Sequence, residues 1–247
     1  MSGDDRHGAP QKAEADEGDC RRNGCPEHGR CLHCRHDVKV AAESQGEEYQ
    51  RAEDGFGAER IDILPGLAVG CDNFRGGLDA TQHLLGLNRR NVAFLGTASG
   101  HYPEFFERYH GYAEALKQAG LTANAALQVD AVSMENSGYA AAMELLARGQ
   151  PFDAIVAASD LIAIGALRAL QERRMDVPGA VSVVGFDDIP AASHANPPLT
   201  TVMQDTRQAG EVLVDTLLQS IRGEAVENRT LATRLVVRRS CGAYKTP

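Results

Sequence analysis

The chain has 247 residues, of which 43% are hydrophobic and 24% charged, with a formal net charge of −9. That length suits one large or two small domains, and the acidic balance argues against a surface that coats nucleic acid. No apolar run approaches the ~18 residues that span a bilayer, and the stretch from Met1 to His7 lacks the apolar core of a secretory signal. A cytoplasmic protein with no membrane partner is the expectation.

The first sixty residues differ from the rest. Their only Ile, Leu, Val, Met or Phe residues are Met1, Leu32, Val38, Val40 and Phe56, among 14 acidic and 9 basic side chains. So little apolar surface does not offset the entropy of ordering a chain, and disorder is predicted for residues 1–60. Cys20, Cys25, Cys31 and Cys34 lie here with His28, His33 and His36 between and beside them. Zinc needs four such ligands in a tetrahedron, but only Cys31 and Cys34 have the usual two-residue gap, and five residues separate the pairs. A Cys/His-containing tail without metal is the preferred reading, and no cofactor is expected. A secreted disulfide framework is disfavoured because no export signal is present.

From Ile61 the pattern changes to short apolar strands alternating with amphipathic helices, which predicts a parallel sheet with helical crossovers. In chain order the expected elements are a strand over Leu67–Gly70, a helix over Gly76–Leu87 and a strand over Val92–Leu95. A loop over Thr97–Pro103 leads to a helix over Phe105–Ala119, which ends at Gly120 as helices often do. Next come a strand over Leu127–Val132, a helix over Ser137–Arg148, a strand over Ala154–Ala157 and a helix over Leu161–Arg173 with Asp160 as its expected N-cap. A strand over Val181–Phe186, a helix over Thr206–Ile221 and a closing strand over Leu231–Arg239 complete the series.

The most informative stretch is Val183-Val184-Gly185-Phe186-Asp187-Asp188-Ile189-Pro190, followed by Pro197-Pro198-Leu199-Thr200-Thr201-Val202 and Gln204-Asp205. A buried parallel strand that ends in two carboxylates puts Asp187 where open α/β sheets bind ligands, although capping a turn would explain the same pair. Together with Asp72-Asn73 and Gly76-Gly77, Asn91 to Gly96, Arg108 with Gly111-Tyr112, Phe152 to Asp160 and Leu235 to Ser240, it resembles the effector-binding domain of the lactose-repressor (LacI/GalR) family of transcription regulators. The resemblance runs from about Pro65 to Ser240.

The resemblance implies an α/β, periplasmic-binding-protein-like fold of two lobes, with parallel sheets and flanking helices. Residues 61–247 would form the sensor domain. The C-terminal lobe, Asn91 to about Leu199 plus the closing strand, looks complete. The N-terminal lobe looks partial, keeping Leu67–Leu87 and Thr206–Ile221, with apolar faces exposed and association expected. Family members begin with a helix-turn-helix headpiece, and none is recognisable before Ile61. A truncated gene or an upstream frame shift is the expectation, and upstream DNA without a headpiece in any frame would contradict it.

Site residues follow from the same resemblance. Asp72 and Asp187 would accept from ligand hydroxyls, with helix capping as the alternative for each. Arg108 would offer its planar donors to the effector, while Ser159 and Gln204 would contact it or close the cleft. The loop His101-Tyr102-Pro103-Glu104-Phe105-Phe106 would bring aromatic faces to a pyranose, with Glu104 accepting from hydroxyls or supporting the start of its helix.

The expected ligand is a small effector, a glucoside or disaccharide foremost, bound within a homodimer. Operator DNA is a partner of the intact family but has no recognisable reader here. A solute-binding protein of a sugar importer is the alternative, weakened by the missing export signal. No nucleophile–base pair or phosphate-cradling loop suggests an enzyme. Cys71 is read as an inert core thiol and Cys241 as an exposed bystander.

Overall fold

The computed structural model describes residues 61–64 and 67–244; the Cys/His segment and its expected disorder lie outside the described residues. Strands β1 (Ile61–Leu64) and β2 (Leu67–Cys71) are antiparallel, and β2 pairs in parallel with β8 (Arg229–Leu231), giving a small sheet in the order β1-β2-β8. The larger sheet contains β3 (Val92–Leu95), β4 (Gln128–Val129), β5 (Ala154–Ala157), β6 (Ser182–Asp187), β7 (Thr200–Met203) and β9 (Arg234–Val236). Its order is β4-β3-β5-β6-β7-β9, parallel except for the β7–β9 pair.

Every residue of β3 and β5, and β6 up to Phe186, is buried. This is why those segments read as continuous apolar runs rather than alternating ones: a parallel sheet is covered on both faces. The cover comes from two helix pairs, α1 (Asn73–Gly86) with α2 (Pro103–Gln118), and α3 (Glu135–Ala147) with α4 (Asp160–Glu172). Each pair crosses through glycines. A Cβ on Gly111 would stand 2.1 Å from the Phe74 carbonyl oxygen, and one on Gly77 would stand 2.2 Å from that of Arg108. Gly138 and Gly165 make the same close approach between α3 and α4. The short helix α5 (Pro190–His194) was not anticipated, whereas α6 (Thr206–Ile221) has the expected bounds.

Three expectations are corrected. Helix α1 follows the small sheet in sequence but packs on β5, β6, β7 and β9 of the large one, so it belongs to the C-terminal lobe. The closing strand, expected over Leu231–Arg239, is only Arg234–Val236, because Leu231 still ends a strand of the small sheet and the chain joins the large one at Arg234. Cys241 is buried, with its Sγ 3.2 Å from His83 Nε2, because the chain after β9 packs against α1. Cys71 is a buried thiol as expected.

The chain therefore crosses between the two sheets three times: from β2 to α1, from β7 to α6, which packs on β1 and β2, and from β8 to β9. Helix α6 buries only Thr216 among its residues and leaves Val214, Leu217, Leu218 and Ile221 exposed, the last at 72%. The apolar face expected on this lobe is present.

Candidate functional site at the carboxyl ends of the strands

Strands β5, β6 and β7 run side by side in register, so the residues leaving their carboxyl ends converge. Ala158 and Ser159 follow β5, Asp187 ends β6 and Gln204 follows β7. Strand order reverses beside β3, where right-handed crossovers put α2 and α3 on opposite faces, the arrangement in which open α/β sheets bind ligands.

Arg108 lies against the carboxyl ends of β5 and β6. It is only 2% exposed, in the second turn of α2. Its Nε donates to Asn73 Oδ1 at 2.7 Å and its Nη1 donates to the Ala158 carbonyl. The guanidinium carbon lies over the Phe186 ring, 3.7 Å from its centre, with the Phe105 ring at 5.6 Å, a contact that suits a weakly hydrated cation. Asp187 Oδ1 is 3.5 Å from Nη1 and accepts a 2.7 Å hydrogen bond from Gln204 Nε2. Three of the residues expected at the site, Arg108, Asp187 and Gln204, thus form one constellation. The Oε1 of Gln204 is buried without a protein partner among the described residues.

The backbone at Asp187 and Asp188 is unusual, with φ of 115° and 58°. Such conformations cost an L residue of the order of 1–3 kcal/mol each and persist where the surroundings impose them. Here Gln204 and Arg108 hold Asp187, and Arg238 Nη2 holds Asp188 at 2.7 Å.

The remaining expected residues have local partners. Asp72 caps α1, its Oδ1 accepting from Arg75 N at 2.8 Å, which starts the helix earlier than the apolar period suggested. Its charge reaches Glu107, whose carboxyl is raised above the usual range mainly by burial, with His110 opposing and Asp72 reinforcing. Ser159, not Asp160, caps α4, and its hydroxyl accepts from Ser133 Oγ at 2.9 Å. Glu104 lies in the first turn of α2, which has Pro103 at its start and no side-chain cap. Phe105 is buried beneath Arg108 and Tyr102 stacks on it, so of these two rings Tyr102 keeps the greater open surface.

Asp160 is fully buried and serves the site from behind. Its Oδ1 accepts from Thr201 Oγ1 at 2.6 Å and its Oδ2 from Ile189 N at 2.9 Å, tying α4 to β7 and to the loop after Asp188. Burial pushes its carboxyl up to about 7, against the two hydrogen bonds, with Asp187 and Asp188 adding repulsion. Sequence reasoning passed over Asn73, Phe186 and this role of Asp160. The Asp72-Asn73 pair was visible as a motif, but nothing in it told a cap from an arginine anchor.

Residues 81–241 match the family model described as a periplasmic binding protein-like domain. Over 174 residues the chain is 40% identical to the HTH-type transcriptional regulator CelR of Thermobifida fusca, covering 70% of this chain and 51% of that protein. A structure described as a transcriptional regulator CelR-cellobiose complex is similar at TM-score 0.68 and 38% identity, over 71% of this chain and 54% of that one. A sugar-binding transcriptional regulator (LacI family) from Escherichia coli complexed with phosphate has TM-score 0.65 at 34% identity, over 70% and 62% of the two chains. The chain spans about half the length of the curated relatives it matches.

Proposed function

We propose a function from the premise that the chain belongs to the periplasmic binding protein-like domain family, in the form carried by LacI-type transcription regulators. It is the effector-sensing part of such a regulator. Its crevice at the ends of β5, β6 and β7 takes a small uncharged polyol, a glucoside or glucose disaccharide foremost. The observation that carries this reading is the Arg108–Asp187–Gln204 constellation over Phe186. It offers donors and acceptors in fixed directions, which is what a hydroxyl-rich ring needs.

The charge balance favours a neutral ligand. Arg108 is already engaged by Asn73, Ala158 and Asp187, so its charge is matched by a carboxylate of the protein. A phosphate or carboxylate would have to compete with Asp187 for this cation. Buried Gln204 Oε1 calls for a donor, which a sugar hydroxyl supplies. That CelR is described with cellobiose supports the same ligand class. In an intact homodimer, ligand binding would favour one orientation of the lobes over another through the three crossovers, and so bias operator binding.

The test is thermal unfolding of the full chain with cellobiose, glucose, ribose, glucose 6-phosphate and inorganic phosphate. A hundredfold excess over Kd stabilises the native state by ~2.7 kcal/mol, enough to raise the midpoint by several degrees. Cellobiose or glucose should do so and glucose 6-phosphate should not. A shift with the phosphorylated sugar or phosphate alone would sink the neutral-ligand reading.

A further inference from the structure

We infer that Asn73 is a positioning residue that fastens the Arg108 guanidinium to the crossover between the two sheets, so that this arginine and the end of β2 move as one unit. The inference rests on reading Arg108 as an effector contact. Asn73 opens α1 and is 1% exposed. Both ends of its amide are in use. Oδ1 accepts from Arg108 Nε at 2.7 Å, and Nδ2 donates to the carbonyl of Cys71 at 3.2 Å. Cys71 is the last residue of β2 in the small sheet, whereas α1 and Arg108 belong to the large one. One short amide therefore spans the crossover.

The division of labour around Arg108 supports this role. Phe186 lies under the guanidinium carbon and Ala158 holds Nη1. The Nε bond to Asn73 fixes the rotation that keeps Nη1 between the Ala158 carbonyl and Asp187. The Nη1–Asp187 distance is 3.5 Å against 2.7 Å for the Nε bond to Asn73, so Asn73, together with the Ala158 carbonyl, sets the pose. The next residue back continues the connection: Asp72 N donates to Leu231 O at 2.9 Å and the Asp72 carbonyl accepts from Thr233 Oγ1 at 3.4 Å, which joins this crossover to the one between β8 and β9. A ligand that pulls on Arg108 thereby pulls on two of the three crossovers.

An amide is required because it carries an acceptor and a donor in one rigid plane. Asp keeps the acceptor for Arg108 but has no donor for the Cys71 carbonyl. Ala keeps neither. The experiment records the Arg108 Nε–Hε signal of the ¹⁵N-labelled full chain without sugar, assigned by its loss in Arg108→Lys. Exchange of this proton with water should be slow in the wild type and at least about tenfold faster in Asn73→Ala. In Asn73→Asp it should stay slow while exchange at the Asp72 amide speeds up.

Cellobiose affinity should fall at least about tenfold in Asn73→Ala and within about threefold in Asn73→Asp. A cooperatively folded Asn73→Ala with a protected Hε overturns the proposal, as does an Hε exposed equally in both variants or exposed with unchanged cellobiose affinity. If Asn73→Ala does not fold, Asn73→Asp decides alone: protected Hε with a faster Asp72 amide upholds the proposal, and an exposed Hε ends it. Should no sugar shift the wild-type midpoint, the sensor reading fails, and the exchange data still judge Asn73.

Discussion

Asp160→Asn should stabilise the protein at neutral pH and remove a pH dependence. In the unfolded chain the Asp160 carboxyl titrates near its ordinary 3.8, and burial lifts it to about 7 in the fold. Below 3.8 both states are protonated and the group contributes no difference. Between 3.8 and 7 the unfolded chain releases the proton while the native state keeps it, so stability falls as pH rises. Above 7 the loss levels off at about 4 kcal/mol. Asparagine stays neutral at every pH. Its carbonyl oxygen can accept from Ile189 N, and its amide can donate to Thr201 Oγ1, because a hydroxyl turns from donor to acceptor without moving its oxygen.

The assay is urea unfolding of wild type and variant from pH 4.5 to pH 8, taking the difference at each pH so that other titrating groups cancel. The variant should gain on the wild type steadily up to pH 7, reach an advantage of a few kcal/mol and then level. A flat difference, or a variant that loses ground as pH rises, would refute the assignment of Asp160 as a buried carboxyl held between Thr201 and Ile189.

Two further substitutions probe the packing. Gly111→Ala drives a Cβ to 2.1 Å from the Phe74 carbonyl oxygen and should cost about 3 kcal/mol or more, whereas Gly86→Ala meets nothing within 4 Å and should cost nothing measurable in the same unfolding assay. On α6, replacing exposed Leu218 and Ile221 by Gln should reduce self-association in sedimentation velocity and move stability by less than ~1 kcal/mol; a wild type that sediments as a monomer at the same concentration would contradict this.

Strands β3 and β5 stand at the bounds expected from sequence, because runs such as Val92–Leu95 and Ala154–Ala157 are buried on both faces and carry no competing signal. Helix α6 was legible from its apolar spacing, and its start is fixed by Asp205, which caps it through Gln208 N. The errors concern which sheet an element joins. Leu78, Leu84 and Leu85 announce that α1 buries one face but not which sheet lies beneath it. The closing run Leu231–Arg239 looks extended throughout, although Leu231 ends a strand of the small sheet and only Arg234–Val236 joins the large one.

At the site, Arg108, Asp187 and Gln204 could be named because the family pattern marks them. The groups that hold Arg108 were hidden for different reasons. Phe186 reads as one more core aromatic, and the Ala158 contribution is a backbone carbonyl that no side-chain pattern shows. Ser159 and Asp160 are adjacent and both suit a helix start, so only tertiary contacts with Thr201 and Ile189 assign their separate roles.

The most direct test of the account is calorimetric titration of the full chain and of Asp187→Asn with cellobiose and glucose. Asp187 ends β6 at the centre of the constellation and keeps its shape as Asn, so the unliganded fold should persist. The account predicts saturable binding of at least one of these sugars by the wild type and a loss of at least tenfold in affinity for Asp187→Asn. Equal binding by both proteins would move the ligand away from this crevice and contradict the central claim.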